Sequence, residues 1–303
     1  MSAGASKKVI IISLIANFCI AIAKLIGGFF TGSAALLAEA VHSFSDCGNQ
    51  LLLLYGQKAA QKEISEKYPL GRGKELFFWS FIVALLLFSM GGMFSLYEGI
   101  HKITEEGSIN SPMVGIAILS LAILLEGYAF FSCLKEILAS NKYPTIREWI
   151  KKTTTVDLLV IFLEDFAAIL GLIIALVSLL LAWYTGNVFW DGFGSCLIGV
   201  LLISVAIILA CKVKPLLIGQ SPYLDYHVEM DRILSEVIPD AKIIRHVAIL
   251  QGVDRVLVAY KIHPGNEKRD TVDSIKLVNI FEKKVKEHFP EIKWQFAELD
   301  FEE

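Results

Sequence analysis

Apolar residues run almost unbroken over residues 9–30, 34–57, 77–99, 112–134, 156–184 and 191–211. At about 1.5 Å per helical residue each run can cross roughly 30 Å of hydrocarbon. The pattern therefore predicts a bundle of six membrane-spanning helices. Turn and breaker residues mark joints at Thr31-Gly-Ser33, Asn110-Ser-Pro112, Asn141-Lys-Tyr-Pro144 and Thr185-Gly-Asn187. Beyond Val213 the pattern changes. Residues 225–238 show helical periodicity, and 243–250 and 255–263 read as strands joined across Gln251-Gly-Val-Asp254. A second helix is expected over 270–288, with Val272, Ile275, Val278, Phe281 and Val285 on its apolar face. A last strand over 292–300 alternates Ile292, Trp294 and Phe296. The order α-β-β-α-β predicts a small α+β domain at 213–303 after a membrane domain at 1–212.

Composition agrees. The 303 residues are 55% hydrophobic and 19% charged, with a mean hydropathy of +0.59, against about 45–50% and 25% for a soluble domain. A net charge of −3 gives no support for nucleic acid as a partner. Cys19, Cys47, Cys133, Cys196 and Cys211 are scattered singly, so neither a disulfide framework nor a thiolate zinc site is expected. The first run follows Lys7 and Lys8 without a convincing cleavage site, and reads as a true span rather than a signal peptide. Lys58, Lys62, Lys67, Arg72 and Lys74 lie between spans two and three. Lys135, Lys142, Arg147, Lys151 and Lys152 lie between spans four and five, and Lys212 and Lys214 follow span six. The opposite side offers Lys102, so both termini are expected in the cytoplasm. A bacterial cytoplasmic membrane is the expected host, because no organelle-type extension precedes Val9.

The candidate chemistry lies inside the bilayer. Glu39, His42, Asp46 and Asn49 are spaced 3, 4 and 3 apart, one polar stripe on an otherwise apolar helix. Ionisable groups in a membrane are costly and mark cavities or ion paths, and an imidazole and a carboxylate one turn apart can share a divalent cation. Cys47 is rotated off the stripe and reads as packing. Span five carries Asp157, Glu164 and Asp165. If it packs on span two, Asp165, with or without Glu164, can complete the coordination begun by His42 and Asp46. Such nitrogen and oxygen ligands suit Zn²⁺ and also Mn²⁺, Fe²⁺ or Co²⁺. Asp157 is two turns from Asp165, too far to share the ion, and either lines the approach or caps its helix. Lys24 pairs with a carboxylate or snorkels. Glu126 is a relay or Lys24's partner, and Glu39 an exit-side ligand or a structural acceptor. Asn17 and Asn49 suit interhelical hydrogen bonds, and Asp191 a helix N-terminus.

The run Ser33-Ala-Ala-Leu-Leu-Ala-Glu39 leading to His42-Ser-Phe-Ser-Asp46 and Asn49-Gln50 resembles the second helix of the cation diffusion facilitator family. Tyr68-Pro-Leu-Gly-Arg-Gly-Lys74 and Phe78-Trp79-Ser80 resemble its following loop and third helix. Leu163-Glu-Asp-Phe-Ala-Ala168 is similar to the branch that includes the mitochondrial zinc exporter of animals. The resemblance implies a homodimeric divalent cation:proton antiporter with one transport site per protomer between spans two and five. It also implies a cytoplasmic domain of ferredoxin-like, metallochaperone-like fold. Zinc-type members pair the span-five Asp with a His or Asp four residues earlier, where this chain has Ile161, so Glu164, water or another helix is left to supply the fourth ligand. In the soluble domain His246, Glu298 and Asp300 fall near positions where relatives bind regulatory metal, while Tyr260 stands where some carry another histidine.

Three other classes are weighed. A membrane metalloprotease would need His-Glu-x-x-His, which the chain lacks, and a primary pump would need a phosphate-binding Gly-x-x-x-x-Gly-Lys-Ser/Thr, also lacking. The expectation is a transporter and not an enzyme. A non-transporting metal-binding membrane scaffold is the alternative, and it predicts that His42 and Asp46 are dispensable.

Overall fold

A computed structural model describes residues 3–104, 111–139, 144–265 and 270–300. The predicted turns at Asn110 and Asn141–Tyr143 therefore lie outside the described residues. Two compact units emerge, one formed by Met1–Gln57 with Phe78–Lys214, the other by Lys58–Phe77 with Pro215–Glu303.

The first unit is helical. It contains α1 (Ala3–Thr31), most of α2 (Ala34–Ala60), and a continuous helix made of α3 (Glu75–Leu86), a π-helical turn (Leu87–Met93) and α4 (Phe94–Thr104). These are followed by α5 (Pro112–Ala139), the short α6 (Ile146–Lys152), α7 (Val156–Thr185) and α8 (Phe189–Ile218). The helix α6 was not anticipated. It starts where Thr145 accepts a hydrogen bond from the Glu148 amide, a cap that its few apolar residues did not advertise. Among the described residues four segments are long and apolar enough to cross a membrane: Glu75–Thr104, α5, α7 and α8. Of the other two predicted spans, the first contributes the apolar stretch Asn17–Thr31, and α2 is diluted by its own polar stripe.

Packing follows residue size. The π-helical turn includes Gly91 and Gly92, residues of low helix propensity. From there the helix lies backbone-to-backbone on α8. A Cβ on Gly99 would stand 2.7 Å from both the Cys196 amide and the Gly192 carbonyl, and one on Gly199 2.9 Å from the Gly92 carbonyl. Ser195 donates across this seam to the Ser95 carbonyl at 2.8 Å. On the other side α5 packs against both α1 and α7.

In the second unit, the Lys58–Phe77 segment folds against the tip of a hairpin. Gly71 adopts a left-handed conformation (φ +68°), and Gly73 lies so close to the Gln251 carbonyl that a Cβ would reach to 2.3 Å. Arg72 covers the Tyr68 ring and pairs with Glu75. The remainder is α9 (Tyr226–Val237), β1 (Lys242–Gly252), β2 (Arg255–His263), α10 (Thr271–His288) and β3 (Ile292–Leu299). The strands are ordered β1-β2-β3, with β1 antiparallel and β3 parallel to β2. Helix α9 packs on β1, α10 on β3, and the two helices on each other. The α-β-β-α-β reading is thus met as a small three-stranded α+β unit. One face assignment changes. Ile292 is buried but Phe296 is 55% exposed, because the pairing of β3 with β2 skips Lys293 and so turns Phe296 to the face opposite Ile292.

Candidate metal centre

Helix α2 begins under the control of a distant carboxylate. Asp191, in the first turn of α8, accepts from Ser33 Oγ at 2.5 Å and from the Ala34 amide at 2.6 Å. It thus stands at the N-terminus of its own helix, as expected, and its carboxylate also caps α2, where negative charge is equally favoured. Lys102 donates to the Gly32 carbonyl in the same turn.

Helix α2 then runs antiparallel to α7, and three contacts fix the register. Glu39 Oε1 lies against Gly171, where a Cβ would be 2.2 Å away. Asn49 Nδ2 donates to Glu164 Oε1 at 2.7 Å, and Gln57 Nε2 to Asp157 Oδ2 at 2.8 Å. Moving down α2 through 39, 49 and 57 thus moves up α7 through 171, 164 and 157. His42 and Asp46 fall between the first two contacts, opposite the stretch of α7 between Glu164 and Gly171. The predicted packing of the fifth span on the second is present.

Within that window His42 is fully buried and Asp46 is 9% exposed. His42 Nδ1 is 3.4 Å from Asp46 Oδ1 without hydrogen-bond geometry. Both His42 nitrogens, Asp46 Oδ1, Asn49 Oδ1, Ser45 Oγ and Gln50 Oε1 are buried with no hydrogen-bond partner. So many orphaned polar atoms in one window depart from the rule that buried polar groups are satisfied, and their chemistry, imidazole nitrogen and carboxylate oxygen, is that of a borderline cation's ligands.

The other candidate ligands are placed differently. Glu164 is buried and held by Asn49, whereas Asp165 is half-buried and close enough to Asp46 to interact with it electrostatically. Among the described residues no three His, Cys, Asp or Glu side chains stand close enough to hold one ion in this conformation. Asp157 neither caps α7 with its own side chain nor stands free; Gln57 holds it. Gln57 and Glu39's contact with Gly171 were not anticipated. The signal for Gln57 was its position eight residues beyond Asn49, on the same helical face.

Lys24 resolves into a partner of carboxylates. Its ammonium donates to Ser43 Oγ at 2.7 Å and lies 3.4 Å from Glu39 Oε2 and 4.0 Å from Glu126 Oε1.

The family model for the cation efflux transmembrane domain matches residues 10–218. The chain belongs to the cation efflux family. This cation efflux protein is accordingly a multi-pass membrane protein. It is 29% identical over 218 residues to Metal tolerance protein C4 of Arabidopsis thaliana, covering 71% of this chain and 48% of that one. It is 31% identical over 216 residues to the mouse mitochondrial proton-coupled zinc antiporter SLC30A9, covering 71% of this chain and 38% of that one. The chain thus spans less than half the length of these relatives. Magnetosome protein MamB of a Magnetospira strain is 32% identical over 154 residues, 49% of this chain and 50% of that one. The residues that carried the resemblance, 33–50, 68–80 and 163–168, all fall inside the family match.

In the α+β unit His246, Glu298 and Asp300, near the positions where relatives bind regulatory metal, form no group close enough to hold one ion among the described residues. Lys261 lies 2.6 Å from Asp300 and 3.7 Å from Glu298, and both carboxylates hold the lysine's pKa above its ordinary value. His246 instead faces His227 of α9, ring centres 4.8 Å apart. Tyr260 is a core residue: it packs edge-on to Phe281 and its hydroxyl donates to Gln295 at 3.1 Å.

Proposed function

We propose that this cation efflux protein is a secondary transporter exchanging a divalent cation, Zn²⁺ first among them, for protons. The observation that carries the reading is the buried His42–Asp46 pair, whose imidazole nitrogens and Oδ1 have no hydrogen-bond partner, on a helix that packs against the span bearing Glu164 and Asp165. His42 and Asp46 supply the first two ligands and Asp165 the third, while Glu164 joins by exchanging its bond to Asn49 for the ion. Ile161 supplies no donor, so the site leans on oxygen and accommodates Mn²⁺, Fe²⁺ or Co²⁺ as well as Zn²⁺.

Exchange follows from the ligands. An imidazole, which ordinarily titrates near pH 6.5, binds metal only when neutral, and carboxyl groups only when ionised. Loading the ion therefore expels protons, and protons arriving from the far side expel the ion. Alternating exposure of one such site per protomer moves metal against protons with no covalent step. The protein acts as a homodimer with both termini on the cytoplasmic side, in keeping with its distribution of Lys and Arg.

Uptake into proteoliposomes under an imposed pH gradient tests this reading. Zinc, manganese, iron and cobalt are compared for wild type, Asp46→Ala and Asp165→Ala. The expected result is uptake of zinc, accompanied by proton flux, falling about 100-fold or more in both variants. Normal transport by folded variants would sink the reading, as would transport by wild type that ignores the pH gradient.

A further inference from the structure

Beside the metal stripe lies a second group of buried charges, contributed by α1, α2 and α5. Lys24 and Glu39 are fully buried and Glu126 is 5% exposed. One ammonium faces two carboxyl groups at 3.4 and 4.0 Å. The fully ionised cluster would carry one uncompensated negative charge in a setting without bulk water, a state strongly disfavoured. A second, independent sign comes from Glu39 Oε1. It is buried, has no hydrogen-bond partner, and is aimed at the space left by Gly171 on α7. An oxygen so placed is poorly suited to bear charge and well suited to bear a proton.

We propose that Lys24, Glu39 and Glu126 form a proton site separate from the metal ligands. It holds one exchangeable proton, carried at Glu39, and releases it when a divalent cation loads at His42 and Asp46. The inference rests on the transport reading and deepens it. The charged and titratable groups around the cluster are Lys24 from α1, Glu39, His42, Asp46 and Cys47 from α2, Glu126 from α5, and Glu164 and Asp165 from α7. His42 and Asp46 lie within electrostatic reach of Lys24, and Asp46, Cys47 and Asp165 within reach of Glu126. A doubly charged ion arriving at Asp46 is felt in the cluster through a low-dielectric interior. The carboxyl O–H bond then breaks, its electron pair stays on the oxygen, and the proton departs to water. The new carboxylate is balanced by the incoming cation. On ion release the proton returns.

The test counts protons. Zinc is titrated calorimetrically into the purified full chain in buffers of different ionisation enthalpy, for wild type, Glu126→Gln and Glu39→Gln. Each variant leaves a neutral lysine–carboxylate pair that needs no proton. Each should bind zinc at the wild-type stoichiometry yet release about one proton fewer per ion, and the slope of log affinity against pH should fall by about one. Folded variants that release as many protons as wild type overturn the inference and leave the transport reading standing. Wild type that binds no zinc overturns both. Should neither variant fold, infrared difference spectra of Glu164→Gln protein carrying ¹³C-labelled glutamate decide, since the label sets the cluster apart from Asp46 and Asp165: bleaching of a labelled protonated-carboxyl band on zinc addition sustains the proposal, and no bleaching defeats it.

Discussion

Where the Glu75–Thr104 helix meets α8, Gly99 and Gly92 face Gly192 and Gly199, and the backbones touch. Where α2 meets α7, Glu39, Asn49 and Gln57 face Gly171, Glu164 and Asp157. Both contacts join helices of one unit, yet they respond differently to disturbance. In the first the backbones themselves limit the approach, so its geometry is stiff and its cost of change is steric. The second is made of side-chain ends that can swing, and its cost of change is electrostatic. A transport site needs the second kind: ligands that can exchange one partner for another while the helices around them stay folded. The glycine seam provides the rigid counterpart, since close-packed small residues let membrane helices hold each other by van der Waals contact alone.

The comparison can be broken most severely by removing Lys24, the cation that pairs with Glu39. Lys24→Met leaves Glu39 and Glu126 buried without it, and should cost about 3–5 kcal/mol, read as a collapse of thermal stability in detergent. Glu126→Gln combined with Lys24→Met should recover part of that loss. On the stiff side, Gly99→Leu places a side chain into the α8 backbone and should cost about 1–3 kcal/mol from overpacking; a variant that melts like wild type would show that the seam is not close-packed.

The comparison sharpens when the same change is made on both sides. Gly99→Ala and Gly171→Ala each add one methyl group. The first meets the Gly192 carbonyl and Cys196 amide, which cannot yield, and the second meets the end of the Glu39 side chain, which can. Gly171→Ala should therefore melt within about 1 kcal/mol of wild type while Gly99→Ala loses more. Equal losses would mean that Glu39 is held as rigidly as backbone.

The smallest effect is expected outside the helical unit. Lys261 has a raised pKa through Asp300 and Glu298, so its stabilising contribution is fully present below the ordinary lysine value and is lost as pH rises through the folded-state value. Lys261→Met should lower the melting temperature slightly at pH 8, and the difference from wild type should vanish once the medium is alkaline enough to discharge lysine in the folded protein. A difference that persists there would trace to packing of the lysine stem instead of charge.

The linear chain determined by itself the elements and their chemical character. Long apolar runs force helices, because in hydrocarbon the backbone must satisfy its own hydrogen bonds. Period-two and period-3.6 patterns placed α9, β1, β2 and α10 within a residue or two of their observed ends. The stripe from Glu39 to Asn49 was legible for the same reason: residues three and four apart share a helical face whatever surrounds the helix. Partners between helices had no such local rule. That Asp191 caps a helix more than 150 residues away, that Asn49 takes Glu164 and Gln57 takes Asp157, and that Lys24 stands between two carboxyl groups all depend on which helices lie side by side. The exposure of Phe296 likewise depends on pairing, through the register shift where β3 meets β2. Periodicity is a property of one helix or strand; pairing belongs to two, and only the folded chain decides which two meet.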